Sequence, residues 1–194
     1  MDNKEIEQHP LGFFLPENTK LLMLGSFPPP RARWSMNFYY PNIQNDMWRI
    51  LGLIFYNDKE YFLESKKVFS EEKAKNFCRE KGIGIGDTAV EVIRLKNNAS
   101  DNFLQVVTPL NPEEILARIP ECKAIVVTGQ KAMDTLIAML PPLEEPKVGS
   151  SSRFTLLGRI FHLYRMPSSS RAYPKPLEEK AKDYRKMFQE LELL

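Results

Sequence analysis

Apolar residues in this chain keep two rhythms: short unbroken runs, and longer stretches in which they return every three or four positions. The unbroken runs at 20–25 (KLLMLG) and 123–128 (KAIVVT) read as interior strands, apolar on both faces and stopped by polar residues or glycine. IGIGD at 83–87 reads as a short strand in close backbone packing, with Asp87 and Thr88 at its end. Residues 153–157 and 159–165 alternate enough to form two more strands around a turn at Gly158.

Helical spacing takes over between these runs. Met47, Ile50, Leu51, Ile54 and Phe55 share one face of DMWRILGLIF, with Asn45 placed to cap it. Ser70, followed by Glu71 and Glu72, opens a second helix that Gly82 closes. NPEEILARIP at 111–120 carries Asn111 as cap, Pro112 at the first helical position and two acidic residues in the first turn. QKAMDTLIAML at 130–140 follows the break at Gly129 and stops at Pro141 and Pro142. Leu177, Ala181, Tyr184, Phe188 and Leu191 stripe a long final helix. This alternation predicts a three-layer α/β/α sandwich around a central, mostly parallel four-stranded sheet, in one domain spanning residues 1–194.

Two strand ends break into polar, proline-stiffened loops of the same form, LLMLGSFPPPR at 21–31 and YRMPSSSRAYP at 164–174. Loops leaving the carboxyl ends of strands in an open α/β sheet meet in one crevice, so a shared ligand belongs there. Gly25 and Ser26 allow a sharp turn, and Pro28, Pro29 and Pro30 hold the rest of the loop rigid and extended. Backbone N–H groups held this way suit an anion or the carbonyls of a nucleobase. A triple proline is equally a spacer or a ligand for a proline-recognising module. Ser168, Ser169 and Ser170 offer hydroxyls and N–H groups suited to phosphate oxygens, or form a serine turn capping the last helix. Arg31, Arg33, Arg165, Arg171 and Lys175 lie beside the two loops, as anion contacts or as ordinary solvated charge.

WSMNFYYPNIQNDMW carries five aromatics in fifteen residues, where a mere connection would be polar. Trp48 keeps the register of the apolar stripe and belongs to the core. Tyr40, just before Pro41, either stacks on a flat ligand or closes the end of the core. Asn45 either caps its helix or turns an amide donor and acceptor toward a substrate.

Composition narrows the classes. At 194 residues, 43% apolar and 27% charged, the chain suits one domain with a real core. A net charge of +2 excludes indiscriminate polyanion binding by the field of the whole molecule, so nucleic-acid affinity has to come from a local patch. Cys78 and Cys122 are too few for a disulfide framework, and with His9 and His162 widely separated neither a metal site nor a cofactor is expected. The first ten residues are polar, and no run approaches the eighteen apolar residues a bilayer crossing needs. A cytoplasmic protein with no membrane partner is the expectation, and nothing in the sequence demands more than a monomer.

The order GSFP, YYPNIQNDMW, GIGIGDT, VVTGQKA and MPSSSRAYP resembles the uracil-DNA glycosylase superfamily across nearly the whole chain. Within it, the chain looks like the branch of hypoxanthine-DNA and mismatch-specific uracil/thymine glycosylases. There the first loop reads GSxPG or GINPG, a YYxxPxNxFW-like segment comes next, and the last motif reads LPSTSPA or MPSSSA. Ser26 stands where one branch has the catalytic Asn of GINPG, so that route is closed. The hypoxanthine-type branch relies on the Asn before the helix, which is Asn45 here. The resemblance implies that Asn45 and Ser26 are the catalytic positions. It implies that Gly25, Phe27 and Pro28 cradle the base and water, and that Tyr40 stacks on the extruded base. Pro167 to Ser170, hence Ser168, Ser169 and Ser170, match the loop that pinches phosphates, with Arg171 or Tyr173 as plug for the vacated stack. Two positions depart from the pattern: Pro29 replaces a glycine and removes an N–H, and PNIQN in place of HPRN lacks a histidine.

The resemblance implies a monofunctional DNA glycosylase of base excision repair, acting on DNA that contains a deaminated or mismatched base. Base flipping costs a few kcal/mol, least for mispaired bases. No lysine stands at these loops for a Schiff base, Lys175 reading as a phosphate contact, so strand cleavage is not expected. Asp46 and Asp87 are the two carboxylates near enough in sequence to assist the water. Asp87 ranks second, because an Asp-Thr pair opening a helix is more often a cap. A different class keeps the fold without catalysis: a non-catalytic lesion or nucleic-acid binder, motivated by Ser26 at the asparagine position. A third is a protein-interaction domain that offers the triple proline as its ligand segment.

Overall fold

A computed structural model describes residues 5–194. Its elements in chain order are β1 (Ile6–Gln8), β2 (Leu21–Gly25), α1 (Met47–Tyr56), β3 (Leu63–Ser65), β4 (Val68–Phe69), α2 (Glu71–Lys81), β5 (Ile83–Asp87), β6 (Ala89–Arg94), β7 (Leu104–Pro109), α3 (Pro112–Ala117), β8 (Ala124–Thr128), α4 (Gln130–Ile137), β9 (Ser150–Leu156), β10 (Arg159–Met166) and α5 (Leu177–Glu190). The three-layer α/β/α architecture is present, but the central sheet has five strands rather than four. Its order is β5-β2-β8-β10-β9. The first four are parallel and β9 is an antiparallel edge. Leu157 and Gly158 both have positive φ, 53° and 69°, the tight reversal that folds β9 straight back onto β10.

The unbroken apolar runs arise from burial on both faces. Leu21, Met23, Ile83, Ile85, Ala124 and Val126 pack against the layer of α1, α2 and α5. Their alternates Leu22, Leu24, Ile125 and Val127 pack against α3 and α4. Gly86 lets the N-terminal segment press on β5, since a Cβ there would sit 2.2 Å from the Phe13 ring. Phe14 and Ile85 exchange backbone hydrogen bonds of 2.9 Å in both directions, which covers the other edge of the sheet.

The caps act as expected at α2 and α3: Ser70 Oγ accepts the Lys73 N–H at 3.3 Å, Gly82 ends α2 at φ +67°, and Asn111 Oδ1 accepts the Glu114 N–H at 3.3 Å. α3 and α4 end three residues before the expected boundaries. Their last turns tighten to i→i+3 bonds, Arg118 to Ile115 and Met139 to Leu136 among them.

A second, antiparallel sheet of order β1-β6-β7 and a β3-β4 hairpin have no counterpart in the expected layout. The small sheet buries Phe27, Ala89, Val92 and Leu104 on one side and leaves Ile6, Val90 and Val107 exposed, and register shifts around Glu91 break its alternation. It also corrects the reading of Asp87-Thr88, which lead into a strand at Ala89 rather than into a helix. Among the described residues no helix is long and apolar enough to cross a membrane.

Candidate active site

The four parallel strands end level with one another. Gly25 pairs with Asp87, Leu24 with Val127, and Thr128 with Met166, so the loops leaving β2, β5, β8 and β10 start along one rim. Gly25 has to be bare: a Cβ would lie 2.6 Å from Asp87 Oδ1 and 3.5 Å from the Tyr40 hydroxyl. Tyr40 takes a left-handed backbone, φ +52°, a strained state for an aromatic residue and one that persists where the surroundings impose it. Its hydroxyl reaches Thr128 Oγ1 at 3.4 Å. Burial raises the Tyr40 pKa well above the ordinary tyrosine value, against the Thr128 hydrogen bond, so the phenol stays neutral.

Ser26 Oγ donates to Asp101 Oδ2 at 2.7 Å, which commits the Ser26 proton and leaves its oxygen as an acceptor only. Burial pushes the Asp101 pKa upward; the Ser26 bond opposes this and the Asp87 charge adds to it. Phe27 and Pro28 make contacts of their own. Phe27 packs in the core of the small sheet and edge-on to His9 at 5.1 Å, while buried Pro28 gives its carbonyl to Arg94 Nη2 at 3.0 Å. Side-chain contacts hold the rest of the proline run: Trp34 Nε1 donates to Pro29 O at 2.8 Å, and Arg31 lies 4.2 Å over the Trp34 ring.

Asp87 is buried, and its Oδ2 accepts His9 Nε2–H at 2.7 Å. His9 Nδ1 accepts the Leu11 N–H at 3.0 Å, which fixes the ring as the Nε2–H tautomer. The residues of the first loop and this pair therefore share one floor.

The serine loop joins that rim from the other side. Asn45 and Ser170 form an antiparallel backbone bridge, and the Asp46 N–H donates to Ser169 O at 2.8 Å. Asn45 is half-buried and stands one residue before the N-cap, which is Asp46 rather than Asn45; its Oδ1 accepts the Met47 N–H at 3.0 Å, and its NH2 has no partner among the described residues. Ser168 Oγ accepts the Ser170 N–H and Ser170 Oγ accepts the Ala172 N–H, both at 3.3 Å, which leaves each O–H proton free to donate. Ser169 is buried.

Three cations brace the loop rather than project from it. Arg171 Nε holds the Asp46 carboxylate at 3.1 and 3.3 Å, and Arg49 Nη1 meets the same group at 3.0 Å. Buried Lys180 donates from Nζ to Ser170 O at 2.8 Å, with the Tyr173 ring 5.5 Å from that nitrogen. Burial lowers the Lys180 pKa, opposed by Asp46. Lys180 is a lysine against the serine loop that the sequence did not single out, and its Nζ is committed to Ser170 O. Lys175 is paired with Asp183 and Arg165 with Glu145.

Gly25, Ser26 and Tyr40 gather on the floor, and Asn45, the three serines and Arg171 gather at the serine loop. Phe27 lies beside His9 and packs on the small sheet, and Pro28 gives its carbonyl to Arg94. His9, Asp101, Thr128 and Lys180 escaped the sequence. Only Lys180 carried a signal, a charged residue three positions after Leu177 and four before Tyr184, on the apolar stripe.

No family model matches the chain, and no curated protein matches it in sequence. Among solved structures it is similar to the solution NMR structure of a protein from Methanosarcina acetivorans described as "a putative Uracil DNA glycosylase". The TM-score is 0.66 at 21% sequence identity, over 97% of this chain and 99% of that one. That likeness establishes the shared fold.

Proposed function

We propose that this protein is a DNA glycosylase that removes a deaminated base, uracil or hypoxanthine, by flipping it out and hydrolysing its bond to the sugar. The observation that carries the reading is the committed amide of Asn45. Its oxygen is held by the Met47 N–H, so the group left to a ligand is a donor. Deamination converts an exocyclic amino group, a donor, into a carbonyl, an acceptor. A site that offers a fixed donor pairs with the damaged base and leaves a buried donor facing a donor when cytosine or adenine enters. The same NH2 supports the reaction, because negative charge grows on that carbonyl as the base departs.

Tyr40 is the stacking surface for the flipped base, at roughly 1–3 kcal/mol for such a contact. The free O–H groups of Ser168 and Ser170 suit the oxygens of flanking phosphates, which position the duplex without reading its sequence. Arg171, exposed and paired with Asp46, and Tyr173 are the residues at hand to enter the gap in the duplex. The shared fold of the Methanosarcina protein is consistent with this reading.

The test is single-turnover incubation with oligonucleotides carrying uracil, hypoxanthine, xanthine or mispaired thymine. Abasic product from uracil or hypoxanthine DNA is expected, falling about 10²–10³-fold in Asn45→Ala, the range for loss of one transition-state donor. Tight retention of damaged DNA with no abasic product would favour the non-catalytic binder, for which the Ser26 hydroxyl committed to Asp101 is the supporting feature.

A further inference from the structure

Excision needs a group that takes the proton of the attacking water, and three buried or half-buried carboxylates stand near the two loops. Asp46 is saturated by Arg49 and Arg171, and it lines a groove of about 700 Å³ with Lys59, Glu60, Lys66 and Glu178. Asp101 already receives the Ser26 hydroxyl, and burial favours its protonated form. Asp87 differs from both. His9 fixes one of its oxygens, and Oδ1, the oxygen leaning over Gly25, accepts no hydrogen bond among the described residues.

We propose that Asp87, held by His9, is the general base that activates the water; the inference rests on the glycosylase reading above. The histidine contributes orientation. Its Nδ1 is anchored by the Leu11 N–H, its Nε2–H is aimed at Oδ2, and the carboxylate plane is thereby set with Oδ1 toward the floor shared by Gly25 and the Tyr40 hydroxyl. In the reaction a lone pair of the water oxygen forms the bond to the anomeric carbon, and the C–N glycosidic bond breaks. Its electron pair leaves with the base, and the water proton passes to Asp87 Oδ1. That proton returns to the departing base or to solvent, so base and abasic sugar are released with the carboxylate regenerated. The bare Cα of Gly25 belongs to the same arrangement, since any side chain there would occupy the space of the catalytic oxygen.

The experiment compares wild type, Asp87→Asn, Asp87→Ala, His9→Gln and His9→Phe on uracil- and hypoxanthine-containing duplexes. Single-turnover rate and dissociation constant are measured for each. Asp87→Asn and Asp87→Ala are expected to lose at least 100-fold in rate, within the 10²–10⁴-fold typical of a general base, while binding stays within about threefold. Added formate is expected to restore part of the Asp87→Ala rate and none of the Asp87→Asn rate, because only the truncated site has room for it. His9→Gln, which keeps a donor for Oδ2, is expected to retain more than a tenth of the rate, and His9→Phe to lose it without loss of binding.

Asp87 variants within tenfold of wild type would overturn the inference and leave the glycosylase reading standing. So would an inactive Asp87→Ala that formate does not rescue while its melting curve matches wild type. If the Asp87 variants do not fold, the Gln-against-Phe contrast at His9 decides, with equal rates overturning the inference. Wild type that yields no abasic product from any of these oligonucleotides would sink the glycosylase reading itself.

Discussion

Replacing Gly25 by alanine perturbs the floor of the site through one contact whose size can be worked out. Gly25 is not among the glycines with positive φ, so the backbone accepts alanine. The new methyl would lie 2.6 Å from Asp87 Oδ1, and ordinary contact begins at 3.4 Å, so the carboxylate has to retreat by 3.4 − 2.6 = 0.8 Å. A carboxylate displaced from Gly25 no longer keeps the position that makes its 2.7 Å bond from His9. Loss of a bond to a charged group costs roughly 1.5–3 kcal/mol. At about 2–4 °C per kcal/mol for a chain of this size, the melting temperature falls by roughly 3–12 °C. Thermal melts of wild type, Gly25→Ala, Asp87→Ala and the double variant form a closed cycle. Because the methyl clashes with Asp87 alone, Gly25→Ala is expected to cost less than about 0.5 kcal/mol in the Asp87→Ala background. A cost that persists undiminished there would refute the contact as the reason for glycine.

Asp101→Asn tests the buried carboxyl. Burial raises the Asp101 pKa in the folded protein above the unfolded value of about 3.9, so its contribution to stability is intact below that value and declines as pH rises through the folded one. The variant should gain in melting temperature over wild type between pH 4 and pH 8, and a difference that stays flat with pH would contradict the assignment. Lys180→Met removes the Nζ bond to Ser170 O and should lower stability by about 1–2 kcal/mol, with faster amide exchange at residues 169–171. Unchanged exchange there would show that Lys180 does not hold the loop. Arg171→Ala asks whether that cation leaves Asp46 for DNA: a slope of log affinity against log salt shallower by about one indicates a phosphate contact, and an unchanged slope indicates that it stays with Asp46.

The central layer was legible because both faces of β2, β5 and β8 are buried, which leaves no room for polar residues in runs such as AIVVT. Cap chemistry marked α2 and α3 for a similar reason: Ser70 and Asn111 satisfy donors that every helix start leaves open. The small sheet was hidden because register shifts around Glu91 break the alternation of β6, and because β1 reaches β6 across more than eighty residues, from Ile6 to Ile93. His9 and Asp101 were hidden with it. A lone histidine in a polar N-terminal stretch carries no periodic signal, and only that long-range pairing brings it to Asp87. At Asn45 the cap falls one residue later, on Asp46, while the amide oxygen still holds the Met47 N–H.

The claim on which the rest depends is that the loop after β2 and the serine loop form one DNA-binding crevice, and amide chemical-shift mapping of this 22.5 kDa protein tests it most directly. On titration with a uracil-containing duplex, perturbations should concentrate at Gly25, Ser26, Tyr40, Asn45 and residues 168–173, and return on competition by excess salt. Shifts confined to the groove of Lys59 and Lys66, to the β9 edge or to the proline run alone would contradict it.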